Sequence, residues 1–172
     1  MRKSPVDEVE QARKFYVAQG HEVGHFAALW HSFNVGHMLA TNLNQICRNF
    51  DLSIADLNLL GALGVEQQTP LRTSDLAMTL QVSNGALSNR IENLERKGLL
   101  LRTASEHDRR AFTLTATEAG KRKVESVHEA IARDSHFVQA FNRLSEDDRE
   151  ALERIMGTLH TALDRTFTHV HR

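Results

Sequence analysis

Cysteine is nearly absent from this chain of 172 residues: Cys47 stands alone. A single thiol excludes an intramolecular disulfide and a thiolate cluster for zinc, and suits a reducing, cytoplasmic setting. Prolines number two and glycines nine, which predicts a chain made mostly of helix with few turns. No stretch approaches the ~18 consecutive apolar residues of a membrane span, and the opening MRKSPVDEVEQARKF lacks the apolar run of a signal peptide. Net charge is also close to absent, at −1. Taken as a whole-chain sum, that argues against a strongly basic nucleic-acid binder.

What is present is ordinary globular composition, with 41% hydrophobic and 25% charged residues, arranged in helical periods. Val6 to Gln19 reads as a short helix interrupted by Gly20. Glu22 to about Arg48 reads as a long one, with Phe26, Trp30, Phe33 and His37 on one face. Asp51 or Ser53 can cap the next helix, which runs to about Glu66 with Ile54, Leu57, Leu60 and Leu63 inward. Pro70 closes that element. Thr73 caps a short helix, Ser74 to Leu80, and a tight turn leads into a second helix, Ser83 to Lys97, with Leu87, Ile91 and Leu94 buried. Gly98 fits its left-handed stop. Leu99–Thr103 and Arg110–Thr115 read as the two strands of a hairpin with a polar tip. A helix from Thr117 to about Phe141 follows. The last helix opens at Ser145, with Asp148 in a box-like cap, and is lined by Leu152, Ile155, Leu159 and Leu163.

Two short helices, a tight turn and a polar-tipped hairpin make a winged helix-turn-helix. The expected fold is therefore mainly α with a small β-hairpin wing, flanked by N- and C-terminal helices. The expected division is 1–50 for N-terminal helices, 51–116 for the winged helix-turn-helix DNA-binding lobe, and 117–172 for C-terminal helices. The second helix of the motif is narrow enough for the major groove. Its outward side carries Ser83, Asn84, Ser88, Asn89 and Arg90, short polar groups plus an arginine for bases and phosphates. The hairpin tip carries His107, Asp108, Arg109 and Arg110. Charge is segregated accordingly: Leu71–Lys123 holds ten Lys+Arg and six acids, a surplus of four, so the flanks sum to −5. Helix-turn-helix pairs also occur in proteins that never touch DNA, so a protein-binding module stays open as an alternative. No Gly-rich phosphate loop, nucleophile elbow or three-ligand cluster is visible, and no enzyme, metal or cofactor is expected.

At residues 71–121, LRTSDLAMTLQVSNGALSNRIENLERKGLLLRTASEHDRRAFTLTATEAGK, the sequence resembles the MarR family of bacterial transcription regulators. The wing signature stands as Asp108-Arg109-Arg110-Ala111, followed by Leu114, Thr115, Ala119 and Gly120. Ser88-Asn89-Arg90-Ile91 with Leu94-Glu95 is most similar to the branch containing PecS and urate-responsive regulators. The resemblance implies that 1–50 and 117–172 are dimerisation helices, the former with part of a ligand pocket, and that the two recognition helices of the homodimer address half-sites of a pseudo-palindromic operator in double-stranded DNA. By position, Arg110 would enter the minor groove, Asp108 would orient it, and Arg109 would face phosphate; a simple Asp108–Arg110 pair stiffening the turn is the alternative.

It also implies repression relieved by a small aromatic or phenolic acid. Trp30, Phe33, Asn34, His37 and Asn58 are the candidate lining, with Leu57 and Gly61 nearby; plain core or dimer-interface roles for Trp30 and Phe33 stay open. Where the urate-responsive branch carries an acid, a gapless match of the short helical run places Asn58 here. Asp56 is expected to point elsewhere. His21 and His25, at i and i+4, supply two metal ligands where three or four are usual. A metal-responsive or redox-responsive regulator, the latter through Cys47, is the alternative reading; an inert buried thiol is the simpler account of Cys47.

Overall fold

The computed structural model describes residues 3–65, 76–77, 80, 82–104 and 112–170. These divide into two compact units, Met1–Asn42 and Leu43–Arg172.

In the first unit, α1 (Pro5–Ala18) starts where Ser4 accepts the Asp7 N–H on its hydroxyl at 3.2 Å and Pro5 occupies the first turn. Gly20 adopts φ +82 just beyond its end. The helix α2 (Phe26–Arg48) begins four residues later than the expected Glu22. Residues 21–25 instead form a turn in which the Val23 carbonyl accepts the Phe26 N–H at 3.1 Å. The aromatic rings follow one another from α1 onto α2. Tyr16 meets Phe26 at 5.5 Å, Phe26 stacks on Trp30 at 6.2 Å, and Trp30 reaches Phe33 at 6.4 Å.

The second unit holds the core. Ser53 and Asp56 cap α3 (Ile54–Val65) reciprocally: the Ser53 hydroxyl accepts the Asp56 N–H at 3.1 Å, and the Asp56 carboxylate accepts the Ser53 N–H at 2.8 Å. Leu57, Leu60 and Leu63 are buried as their spacing predicts, and Leu59 joins them because this helix is apolar over most of its circumference. Pro70, Thr73 and Ser74 lie outside the described residues. Leu76 and Ala77 are helical and buried.

The Ser83 hydroxyl caps α4 (Asn84–Arg96), accepting the Ala86 N–H at 3.2 Å, and Leu87, Ile91 and Leu94 face the core. Gly98 ends the helix at φ +69. Its N–H bonds to the Glu95 carbonyl and the Leu99 N–H to the Leu94 carbonyl, both at 2.9 Å, the paired bonds of a Schellman stop. Because Leu99 is used in that stop, strand β1 runs Leu100–Ala104, one residue later than expected. It pairs antiparallel with β2 (Phe112–Ala116), with Leu100 opposite Ala116 and Arg102 opposite Leu114.

Thr117 caps α5 (Glu118–Asp134) and also donates to the Gly98 carbonyl at 2.8 Å. Gly120 lies so close to the Leu99 carbonyl that a Cβ would overlap it. One helix was expected from Thr117 to Phe141; the chain makes two. Ser135, buried and extended (ψ 123), ends α5 and caps α6 (His136–Phe141), its hydroxyl accepting the Val138 N–H at 3.4 Å. Serine favours such a cap because its side chain substitutes for a missing helical partner. Finally, α7 (Glu146–Val170) opens on Ser145, whose hydroxyl accepts the Asp148 N–H at 3.2 Å. Leu152 is half-buried, while Ile155, Leu159 and Leu163 are exposed in the single chain.

Candidate nucleic-acid interface

The core-facing side of α4 is fixed by Leu87, Ile91 and Leu94, so its remaining positions face outward. Ser83, Asn84, Ser88 and Asn89 are all exposed there. The Ser83 hydroxyl is at the same time the cap of the helix.

Arg90, expected with them, is turned inward. Its Nη1 donates to the Asp56 carboxylate and the Ser53 hydroxyl, each at 3.0 Å. Side-chain exposure is only 20% for Arg90 and 10% for Asp56. One guanidinium nitrogen is thus committed to the cap of α3, in surroundings where water screens the pair weakly. Asp56 does point away from Asn58, as expected, yet its role in holding Arg90 was not read from the sequence. The usable signal was the Ser53-x-x-Asp56 box; nothing local indicated which arginine it would meet.

Seven residues on, the Lys97 ammonium binds the other end of the same corner. It lies 2.9 Å from the Asp51 carboxylate and donates to the Asp51 carbonyl at 2.6 Å. The Lys97 hydrogen bond and charge hold the Asp51 carboxyl below its ordinary range. On the hairpin, the Arg102 guanidinium sits 3.5 Å from the centre of the Phe112 ring. The wing residues His107, Asp108, Arg109 and Arg110 lie outside the described residues.

The expected ligand residues divide between the two units. Trp30 and Phe33 are exposed, Asn34 spends an amide hydrogen on the Trp30 carbonyl at 2.8 Å, and His37 is exposed. Asn58 belongs to the second unit, where it lines an open cleft of about 490 Å³ with Leu57, Gly61, Ala62, Leu80, His128 and His160. The two histidines come from α5 and α7, and no local sequence signal joined them to Asn58. Among the described residues, no three of His, Cys, Asp and Glu are grouped to hold a metal ion. Cys47 is fully buried, and desolvation, with the Asp56 charge, pushes its thiol pKa up, the opposite of an activated thiolate.

The sequence model of the MarR family matches residues 64–112. Over 118 residues the chain is 28% identical to an uncharacterised HTH-type transcriptional regulator of Bacillus cereus, covering 68% of this chain and 76% of that protein. It is 31% identical over 103 residues to a putative transcriptional regulatory protein for the hcr operon of Thauera aromatica, covering 59% and 61%. Among solved structures it is similar to the Staphylococcus aureus MepR–DNA complex, with a TM-score of 0.66, 26% identity, and 78% and 96% of the two chains covered. The family model, the curated regulators and the MepR structures together support a MarR-family transcriptional regulator. They support a DNA-binding regulator of the MarR type, and the two-stranded hairpin fits the wing of those winged-helix neighbours.

Proposed function

We propose that this protein is a homodimeric MarR-type repressor, acting in the cytoplasm, that leaves a pseudo-palindromic operator when a small aromatic carboxylate binds. The observation that carries the DNA contact is the exposed polar row Ser83, Asn84, Ser88 and Asn89, backed by a fully buried Leu87–Ile91–Leu94 face. Such a row can hydrogen-bond base edges while the helix stays seated on its core. In this reading Asp108, Arg109 and Arg110 serve the wing, with Arg110 in the minor groove. The division of labour follows 1–50 and 117–172 for pairing and 51–116 for DNA.

The effector belongs in the Asn58 cleft. Leu57, Ala62 and Leu80 offer an apolar wall to a ring, and the imidazoles of His128 and His160 can pair with a carboxylate. Trp30 and Phe33 then serve self-association. An effector relieves repression only by binding the DNA-incompetent arrangement more tightly than the competent one.

The test is a gel shift on duplexes selected from a random pool by the wild-type protein, with and without a panel of phenolic and aromatic acids. Selection of a two-fold symmetric sequence, released by one of the acids, supports the reading. Absence of any selected sequence removes the DNA reading. Selection without release by any acid removes the effector reading alone.

A further inference from the structure

Arg90, on α4, and Lys97, the residue that caps its C-terminus, are seven residues apart, about two helical turns, and therefore lie along one flank of the helix. Both reach the same short corner between α2 and α3. Arg90 is held by Ser53 and Asp56, Lys97 by both the carbonyl and the carboxylate of Asp51. That corner is firmly built. The Asp51 N–H bonds to the Arg48 carbonyl at 3.0 Å, the Leu52 N–H bonds to the Cys47 carbonyl at 3.1 Å, and Leu52 and Cys47 are buried. Asp51 itself takes φ +57, the one left-handed non-glycine conformation among the described residues, which costs free energy unless the surroundings maintain it. The ammonium received by two of its oxygens is such a constraint.

The charge distribution gives the arrangement a consequence. Arg90 and Lys97 are two of the ten cations in Leu71–Lys123, whereas Asp51 and Asp56 lie outside that segment. Two positive charges counted toward DNA are therefore neutralised within the protein by acids of the corner.

We propose that Lys97, seated on Asp51, is a positioning residue that works with the Arg90 anchor to set the roll of α4, and that it makes no phosphate contact. Two anchors two turns apart on one flank add to the buried Leu87–Ile91–Leu94 face in setting rotation about the helix axis, and that rotation decides which side chains meet the groove. The inference rests on α4 being the DNA-reading helix.

The experiment measures affinity for a duplex selected by the wild-type protein, across a range of salt concentrations, for Lys97→Met, Asp51→Asn, the double variant and Ser88→Ala. Thermal unfolding monitors the fold. Lys97→Met and Asp51→Asn are each expected to weaken binding about tenfold, with the double variant no weaker than either alone. The slope of log affinity against log salt stays as in wild type. Asp51→Asn decides by sign: removing a negative charge near DNA tightens binding if only long-range charge matters, and weakens it if Asp51 holds Lys97 in place. Because Asp51 is 83% exposed, its amide variant tests the proposal even where Lys97→Met fails to fold. Tighter or unchanged binding by Asp51→Asn overturns the proposal, as does a loss of about 0.9 in the slope for Lys97→Met, the mark of a phosphate contact. Wild-type affinity and sequence preference in Ser88→Ala would instead remove the reading of α4 on which the proposal rests, separately from the Lys97 result.

Discussion

Arg90 Nη1 lies 3.0 Å from Asp56 Oδ1, and the same nitrogen lies 3.0 Å from the Ser53 hydroxyl. One side chain thus ties α4 to the cap of α3. Asp56→Ala removes the ion pair and half of the α3 capping box, leaving a largely buried guanidinium without its charge partner. A loss of about 3 kcal/mol in unfolding free energy is expected, read from urea denaturation. A loss below about 1 kcal/mol would place the pair with ordinary surface ion pairs instead.

Glycine positions allow a sharper stability comparison. Gly120→Ala drives a methyl group into the Leu99 backbone carbonyl, where no side-chain rearrangement can relieve it. It is expected to destabilise by about 1–3 kcal/mol. Gly157→Ala, with open space around it in α7, is expected to stabilise by about 0.5–1 kcal/mol through backbone entropy. Paired thermal melts check both, and equal shifts would contradict the close approach of α5 to the end of α4.

These contrasts show which parts of the molecule a sequence discloses. Leu87, Ile91, Leu94 and Gly98 were legible because helical period and a glycine stop are local signals. So was the hairpin, to within one residue at β1. The break at Ser135 was missed, since an apolar pattern that resumes in phase does not announce a kink. Arg90 was misplaced because outwardness was judged from the helix alone, whereas its partner Asp56 lies 34 residues earlier. The cleft shared by Asn58, His128 and His160 joins three helices far apart in sequence, and only tertiary structure brings them together.

Cys47 is expected to resist thiol reagents. Its side chain is fully buried, and desolvation together with the Asp56 charge raises its pKa, so little thiolate exists at neutral pH. Labelling with a disulfide reagent should proceed only as the protein unfolds in denaturant. Rapid stoichiometric labelling of the native protein would reopen the redox-sensor alternative.

Acid titration should report on the corner that holds α4. The folded-state pKa of Asp51 is lowered, first by its hydrogen bond from Lys97 and then by charge. Its stabilising contribution is therefore complete above the ordinary value of 3.8 and disappears as pH falls through the lower folded value. In a carboxylate NMR titration, Lys97→Met should move Asp51 back up toward 3.8. An unmoved Asp51 would mean that the ammonium does not rest there in solution.

The exposed face of α7 carries the proposed self-association. Ile155, Leu159 and Leu163 follow at intervals of four and are each about half exposed, at 47%, 48% and 55%, with Met156 beside them at 50%. A helix with such a stripe is stabilised by burying it, at about 25 cal/mol per Å². Replacing Leu159 with Arg puts a charge at the centre of that stripe, where burial would leave it without a partner. The variant is expected to sediment as a monomer at concentrations where the wild type is a dimer. It should also lose affinity for a two-half-site duplex far more than for a single half-site, because tethering of the second recognition helix is lost. Unchanged sedimentation by Leu159→Arg would move the dimer contact away from α7.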